Sequence, residues 1–201
     1  MVTYKRVYYI SAMSTVITSN IIGQLQQDPQ FPEWWKSAPV DIPFFDNKKL
    51  TITYVGFEPD QDRSFIADAD QAIANFLQLT ATNRKAITSL AYKNCTDFLE
   101  AVEYDEEDAP FTQLNDPHEI WNFIYPNEVF VSRRNRRDQD MYVQIDCECE
   151  WEQEHGLQLV FRQGKKLTRI SSIDGHVTEA DAYDKPDEED ELLSKFHEPG
   201  F

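Results

Sequence analysis

From Tyr142 to Trp151 the chain alternates strictly. Val143, Ile145, Cys147, Cys149 and Trp151 fall on one side of an extended backbone, and Tyr142, Gln144, Asp146, Glu148 and Glu150 on the other. Successive strand side chains point to opposite faces, so this is the pattern of a half-buried strand with a wet, acidic face. Gly156 suits a left-handed turn position, after which Leu157, Leu159 and Phe161 resume the apolar side. A third strand follows the turn around Gly164, and Asp174-Gly175 is a further turn signal. The expectation over 142–176 is a three-stranded antiparallel meander.

Upstream, Leu50, Ile52 and Tyr54 alternate with Thr51, Thr53 and Val55, which predicts a hairpin over Ile42–Phe57 turning at Asp46-Asn47-Lys48-Lys49. Prolines at 29, 32, 39 and 43 exclude a regular helix between Asp28 and Phe45, leaving an extended, aromatic-rich wrap in which Trp34 and Trp35 differ in burial. Tyr4–Ile10 reads as a strand, whereas periodicity does not choose between strand and helix for Thr15–Gln27. Helical spacing takes over at Ile66, Ala69, Ile73, Phe76 and Leu77, with Ser64 as the N-cap, and again at Ile87, Leu90, Ala91, Asn94, Phe98, Leu99 and Val102. Asp116-Pro117-His118-Glu119 has the cap, first-position proline and returning carboxylate of a third helix start. Glu128–Ser132 reads as a strand leading into the basic loop Arg133-Arg134-Asn135-Arg136-Arg137.

The fold class that follows is α+β: an antiparallel sheet, made of the N-terminal hairpin and the C-terminal meander, with two or three helices packed on one face. The helices are predicted over about 64–79, 83–104 and 116–124. Residues 1–183 form one domain, and 184–201, rich in Asp and Glu, form an acidic, flexible tail.

Composition narrows the function. A net charge of −17 and a pI near 4.5 repel phosphate backbones and anionic membrane surfaces, which argues against nucleic-acid and membrane partners and for a basic protein partner. The RRNRR loop pairs with the chain's own acids or with an acidic patch on a second copy. No apolar run approaches a membrane span, and the Ser, Thr and Asn residues interrupting 7–22 spoil the likeness to a secretory signal. Three cysteines without disulfide-type spacing suit a reducing cytoplasm. Cys147 and Cys149, two apart on one strand, point into the core as free thiols and not as metal ligands, so neither metal nor cofactor is expected.

The acidic face supplies the candidate binding residues Asp146, Glu148 and Glu150, joined by the carboxylate run Asp105, Glu106, Glu107 and Asp108. A rival reading gathers Glu154, His155, Asp174 and His176 on the meander turns, where paired carboxylates and imidazoles would serve a small-molecule site or hydrolase-like acid–base chemistry. Phosphate-binding glycine loops, G-x-S-x-G and H-E-x-x-H are all missing from the sequence. A subunit of a larger assembly is the third class.

The segment W-E-Q-E-H-G-L-Q-L-V-F-R-Q-G from Trp151, followed by D-G-H-V-T-E-A-D-A-Y, resembles the C-terminal core of a family of uncharacterised bacterial domains marked by W-x-x-E-H-G-L. P-F-F-D-N-K-K-L and I-W-N-F-I-Y-P are similar to that family's layout, so the resemblance spans about 28–183. It implies no chemistry of its own. By analogy with small acidic α+β proteins of bacteria, it implies a non-catalytic immunity-type inhibitor that binds a basic toxin or effector.

Overall fold

A computed structural model describes residues 16–59, 61–134 and 136–197, with the side chain of Glu107 excepted; the strand expected at Tyr4–Ile10 lies outside them. The fold is α+β, built on a nine-stranded, mostly antiparallel sheet. Its strands are β1 (Val16–Ser19), β2 (Gly23–Gln27), β3 (Trp34–Ser37), β4 (Val40–Ile42), β5 (Lys48–Val55), β6 (Ile124–Arg133), β7 (Met141–Cys149), β8 (Leu157–Arg162) and β9 (Lys166–Ser171). They run in the order β1-β2-β3-β5-β6-β7-β8-β9, with β4 paired to β5 beside that path.

Two departures from the sequence expectation shape this sheet. Residues 28–45 do not simply wrap: Trp34–Ser37 and Val40–Ile42 are strands, and the β4–β5 turn is the 3-10 turn Pro43–Phe45, which leaves Lys48 and Lys49 in β5. More consequentially, β5 and β6 pair in parallel, Thr51 opposite Glu128 through Val55 opposite Ser132. Parallel neighbours need a long crossover, and the helices of residues 65–123 provide it.

Those helices are α1 (Phe65–Phe76), α2 (Ala81–Ala86), α3 (Thr88–Val102) and α4 (Ala109–Thr112). The helix expected from 83 to 104 is broken at Ile87, and Val102, assigned to its apolar stripe, is exposed. The third expected helix is the 3-10 turn Pro117–Phe123, although Asp116 caps it as predicted, accepting from the His118 amide at 2.9 Å. Ser64 does not cap α1 through its side chain; its hydroxyl donates to Asp62 and Asp68.

On the inner face, α1 packs on β6 and β7, and Phe44, Phe76 and Phe161 meet with ring centroids 5.4–6.1 Å apart. Asp70 of α1 is buried and accepts from Ser19 at 2.5 Å, Tyr54 at 2.9 Å and the Asn20 amide at 2.8 Å, which ties the β1–β2 turn to the helix. Cys147 and Cys149 are buried free thiols on this face, and burial pushes the Cys149 thiol up to about 12.

The opposite face is covered in part as well. Arg162 follows Phe161 and so projects the other way; the Phe196 ring lies 4.6 Å from its guanidinium. The short helix α5 (Glu179–Ala182) lies on this side, its Glu179 paired with Arg169, so helical elements are not confined to one face, and α6 (Glu191–Ser194) packs on the edge strand β9. Tyr142, assigned to the wet face, is buried for that reason. Residues 184–197, expected as a flexible tail, contribute buried Asp190 and Leu193 and the ion pairs of Asp187, because a row of arginines awaits them.

Candidate functional site

The acidic face of β7 opens into a cleft of about 440 Å³ at the end of the sheet where β6 begins and β7 ends. β6 starts before Pro126, and its register shifts between Pro126 and Glu128. That irregularity belongs to the segment carrying Tyr125 and Asn127, which line the cleft. Asp146 and Glu148 of β7 line it as well, together with Glu150, Gln153, Glu154 and His155 of the β7–β8 turn.

The turn is held by a single buried carboxylate. Glu152 accepts from the amides of Glu154 (2.9 Å) and His155 (3.2 Å) and from His155 Nδ1 (3.1 Å). Burial opposes its charge, but those amides and the imidazole outweigh it and hold Glu152 below the usual carboxylate range. Gly156 has φ +69, and a Cβ there would sit 2.5 Å from the Cys147 carbonyl oxygen, so only glycine lets the turn fold back onto β7.

Within the cleft Asp146, Glu148 and Glu150 accept hydrogen bonds, and among the described residues no lysine or arginine lines it. Tyr125 donates to Glu150, Asn127 to Glu148 at 3.2 Å and Gln144 to Asp146 at 2.7 Å. Asp146 lies opposite Glu128 in the β6–β7 register. Like charges opposite one another across strands destabilise a sheet. Burial pushes the Asp146 carboxyl above its ordinary value, opposed by the Gln144 hydrogen bond and reinforced by the neighbouring Glu128 charge.

The rival group does not converge. His155 pairs with Glu152 on the β7–β8 turn, while Asp174, after β9, receives both terminal nitrogens of Arg169 at 2.6 Å. Burial works against the charged Asp174, and Arg169 overrides it, so its pKa falls. The His176 carbonyl also accepts from Arg169, and His176 lines a separate cleft with Arg133, Arg134, Arg136 and Arg137. Glu154 and His155 share the acidic cleft; Asp174 and His176 do not line it. Asp105 and Glu106 line a third depression with Tyr92, Thr96 and Tyr104, and Asp108 accepts from the Asp105 amide, so this run stands apart from Asp146, Glu148 and Glu150. Among the described residues no three His, Cys, Asp or Glu side chains are placed to hold a metal ion.

The arginine loop turns inward. Arg133 pairs with Asp62 and Asp68 at 2.8 Å each. Arg134, buried, uses all five N–H groups: Nε and Nη2 on Asp181, Nη1 on Asp138, and Nη1 and Nη2 on Asp187, at 2.7–3.0 Å. Arg137 adds contacts to Asp181 and Asp187. Asn135 lies outside the described residues.

Sequence reasoning missed Tyr125, Asn127 and Glu128, whereas Glu152 belongs with the carboxylates and histidines of the meander turns that it grouped together. Pro126 hid the first two, since a proline in the run argued against a strand there. Pairing of Glu128 with Asp146 needs the β6–β7 register, which no local pattern reveals.

A model of a protein family described as a domain of unknown function (DUF6985) matches residues 21–177. No curated protein and no solved structure matches the chain.

Proposed function

The chain belongs to the DUF6985 family, whose description assigns no role, and from its own geometry we propose that it is a non-catalytic protein-binding protein that takes a basic partner in the acidic cleft, in the manner of an immunity-type inhibitor. One observation carries this reading. Asp146, Glu148, Glu150 and Glu154 share a cleft that no lysine or arginine lines among the described residues, while Arg133, Arg134, Arg137, Arg162 and Arg169 are engaged with the chain's own carboxylates. Acids gathered without a counter-charge repel one another and complement a cationic surface, which supports a site kept for a partner. The separation of His155 from Asp174 and His176 speaks against the hydrolase-like alternative.

The test is association with the partner captured on the immobilised full chain at low salt. The triple variant E148Q/E150Q/E154Q is expected to lose that partner, and the wild-type association rate is expected to fall by about tenfold or more as salt rises, because complementary charge acts mainly on encounter. A partner retained equally by the triple variant, or the failure to capture any, would overturn the reading.

A further inference from the structure

The C-terminal segment covers only part of the outer sheet face; over β3, β5 and β6 that face carries an aromatic shelf. Phe31 stacks on Trp34 at 4.9 Å, and Trp34 meets Phe130 edge-on at 5.8 Å. Phe31 is 45% exposed, and Trp34 and Phe130 are half-buried. Scattered exposed hydrophobics need no explanation, but three contiguous rings on an open sheet face do. Lys36 lies 5.9 Å from the Trp34 ring and pairs with Asp28, so the charge at this edge of the shelf is already balanced and the uncompensated charge lies on the other side.

That other side follows from the register. Phe130 lies opposite Gln144, Glu128 opposite Asp146 and Tyr125 opposite Glu148. Phe130 and Glu128, two residues apart on β6, point to the same face about 6.8 Å from one another. Aromatic shelf, paired acids and acidic cleft thus follow one another in a line along β6 and β7, in steps an extended chain would match with every second side chain.

We propose that this line receives an extended segment of the basic partner with the pattern apolar-x-basic-x-basic, its apolar side chain on Phe31, Trp34 and Phe130 and its two cations against the Glu128/Asp146 and Glu148/Glu150 pairs. The proposal rests on the acidic-cleft reading and adds to it a partner chemistry and a spacing. Charge complementarity selects the occupant: a segment carrying carboxylates would meet four acids, and a purely cationic one would leave the shelf empty.

The probes are two peptides of one composition, acetyl-Leu-Ser-Lys-Ser-Lys-amide and acetyl-Lys-Leu-Lys-Ser-Ser-amide, titrated into the full chain and followed by amide NMR shifts and by Trp34 emission, isolated by difference from W34F. In the second peptide both lysines adjoin the leucine and so project to the opposite side of an extended chain. The first is expected to bind about tenfold more tightly, to shift amides of β3, β6 and β7 and to alter Trp34 emission; F31S/F130S is expected to remove that preference while leaving the charge-driven component. E148Q/E150Q is expected to weaken both peptides. Equal binding of the two with unchanged Trp34 emission overturns the shelf and leaves the acidic-cleft reading standing. Indifference of both peptides to E148Q/E150Q, together with partner capture by E148Q/E150Q/E154Q, overturns the cleft reading as well. A Trp34 that acrylamide does not quench in the free chain, or a dimer by light scattering that F31S/F130S dissolves, would mean that the chain itself or a second copy occupies the face, and would also overturn the proposal.

Discussion

At the scale of single residues, Arg134 shows how an acidic chain tolerates a buried cation: five donors meet three carboxylates, and no N–H of the guanidinium is left over. Removing one member of such a group costs more than the group contributes, because the remaining charges stay desolvated and uncompensated. Arg134→Ala is expected to lower unfolding free energy by about 3 kcal/mol in urea titrations, at the low end for a broken buried pair because Asp138, Asp181 and Asp187 retain some water. Burial opposes the charge of Asp181 and Asp187, yet Arg134 holds both below the ordinary value, a folded pKa depressed relative to about 3.9 when unfolded. Their contribution is therefore complete above that unfolded value and is lost as pH falls through the folded one. Stability measured from pH 6 to pH 2 should decline below about pH 4, less steeply in Arg134→Ala. Asp146 has the opposite sign: its folded pKa is raised, so its charge weakens the fold at neutral pH. Asp146→Asn should raise stability by roughly 0.2–1 kcal/mol at pH 7 by removing the clash with Glu128, and should weaken partner binding. A thermal melt and a binding titration on the same variant separate the two effects.

At the scale of elements, the decisive contact is between the β8–β9 turn and α1. Gly164 has φ +64, and a Cβ there would fall 1.9 Å from the Ala72 carbonyl oxygen, while Asn75 donates to the Gln163 carbonyl at 2.9 Å. Gly175 has φ +81 but open space around it. Gly164→Ala should therefore cost more than about 3 kcal/mol or prevent soluble folding, whereas Gly175→Ala should cost about 1 kcal/mol, the conformational part alone. Chemical denaturation of the two variants side by side checks this; equal losses would mean that the turn does not bear on the helix. Much of this level was legible beforehand. Val143, Ile145, Cys147 and Cys149 face inward as their alternation predicts, and Ala69, Ile73 and Phe76 line the buried side of α1. The break at Ile87 and the 3-10 geometry of Pro117–Phe123 were not legible, since helical spacing survives one irregular residue and a short apolar run fits either kind of turn.

At the scale of the molecule, the charges separate into two populations. Arg133 ties the end of β6 to the start of α1, Arg134, Arg137, Arg162 and Arg169 fasten the loop and the C-terminal segment to the outer sheet, and the cleft acids are left facing solvent. With a net charge of −17, self-repulsion among solvent-facing acids is screened by salt more than the Arg134 pairs are. Raising sodium chloride from low to physiological strength should therefore raise the melting temperature by a few degrees while weakening the partner complex. A melting temperature that fell with salt would place the net electrostatic gain in the surface pairs instead.

Alternation and helical spacing by themselves determined that strands and helices would mix, which way the thiols and Trp151 would face, and that Asp146, Glu148 and Glu150 would share a side, because these depend only on side-chain periods of 2 and 3.6. The tertiary structure decided the rest: the parallel β5–β6 pairing, the Glu128–Asp146 opposition, the burial of Tyr142 and the parting of His155 from Asp174 and His176. Each of these sets side by side residues far apart in the chain or on separate turns, and a local pattern carries no information about which of many strands, turns or arginines a given carboxylate will meet.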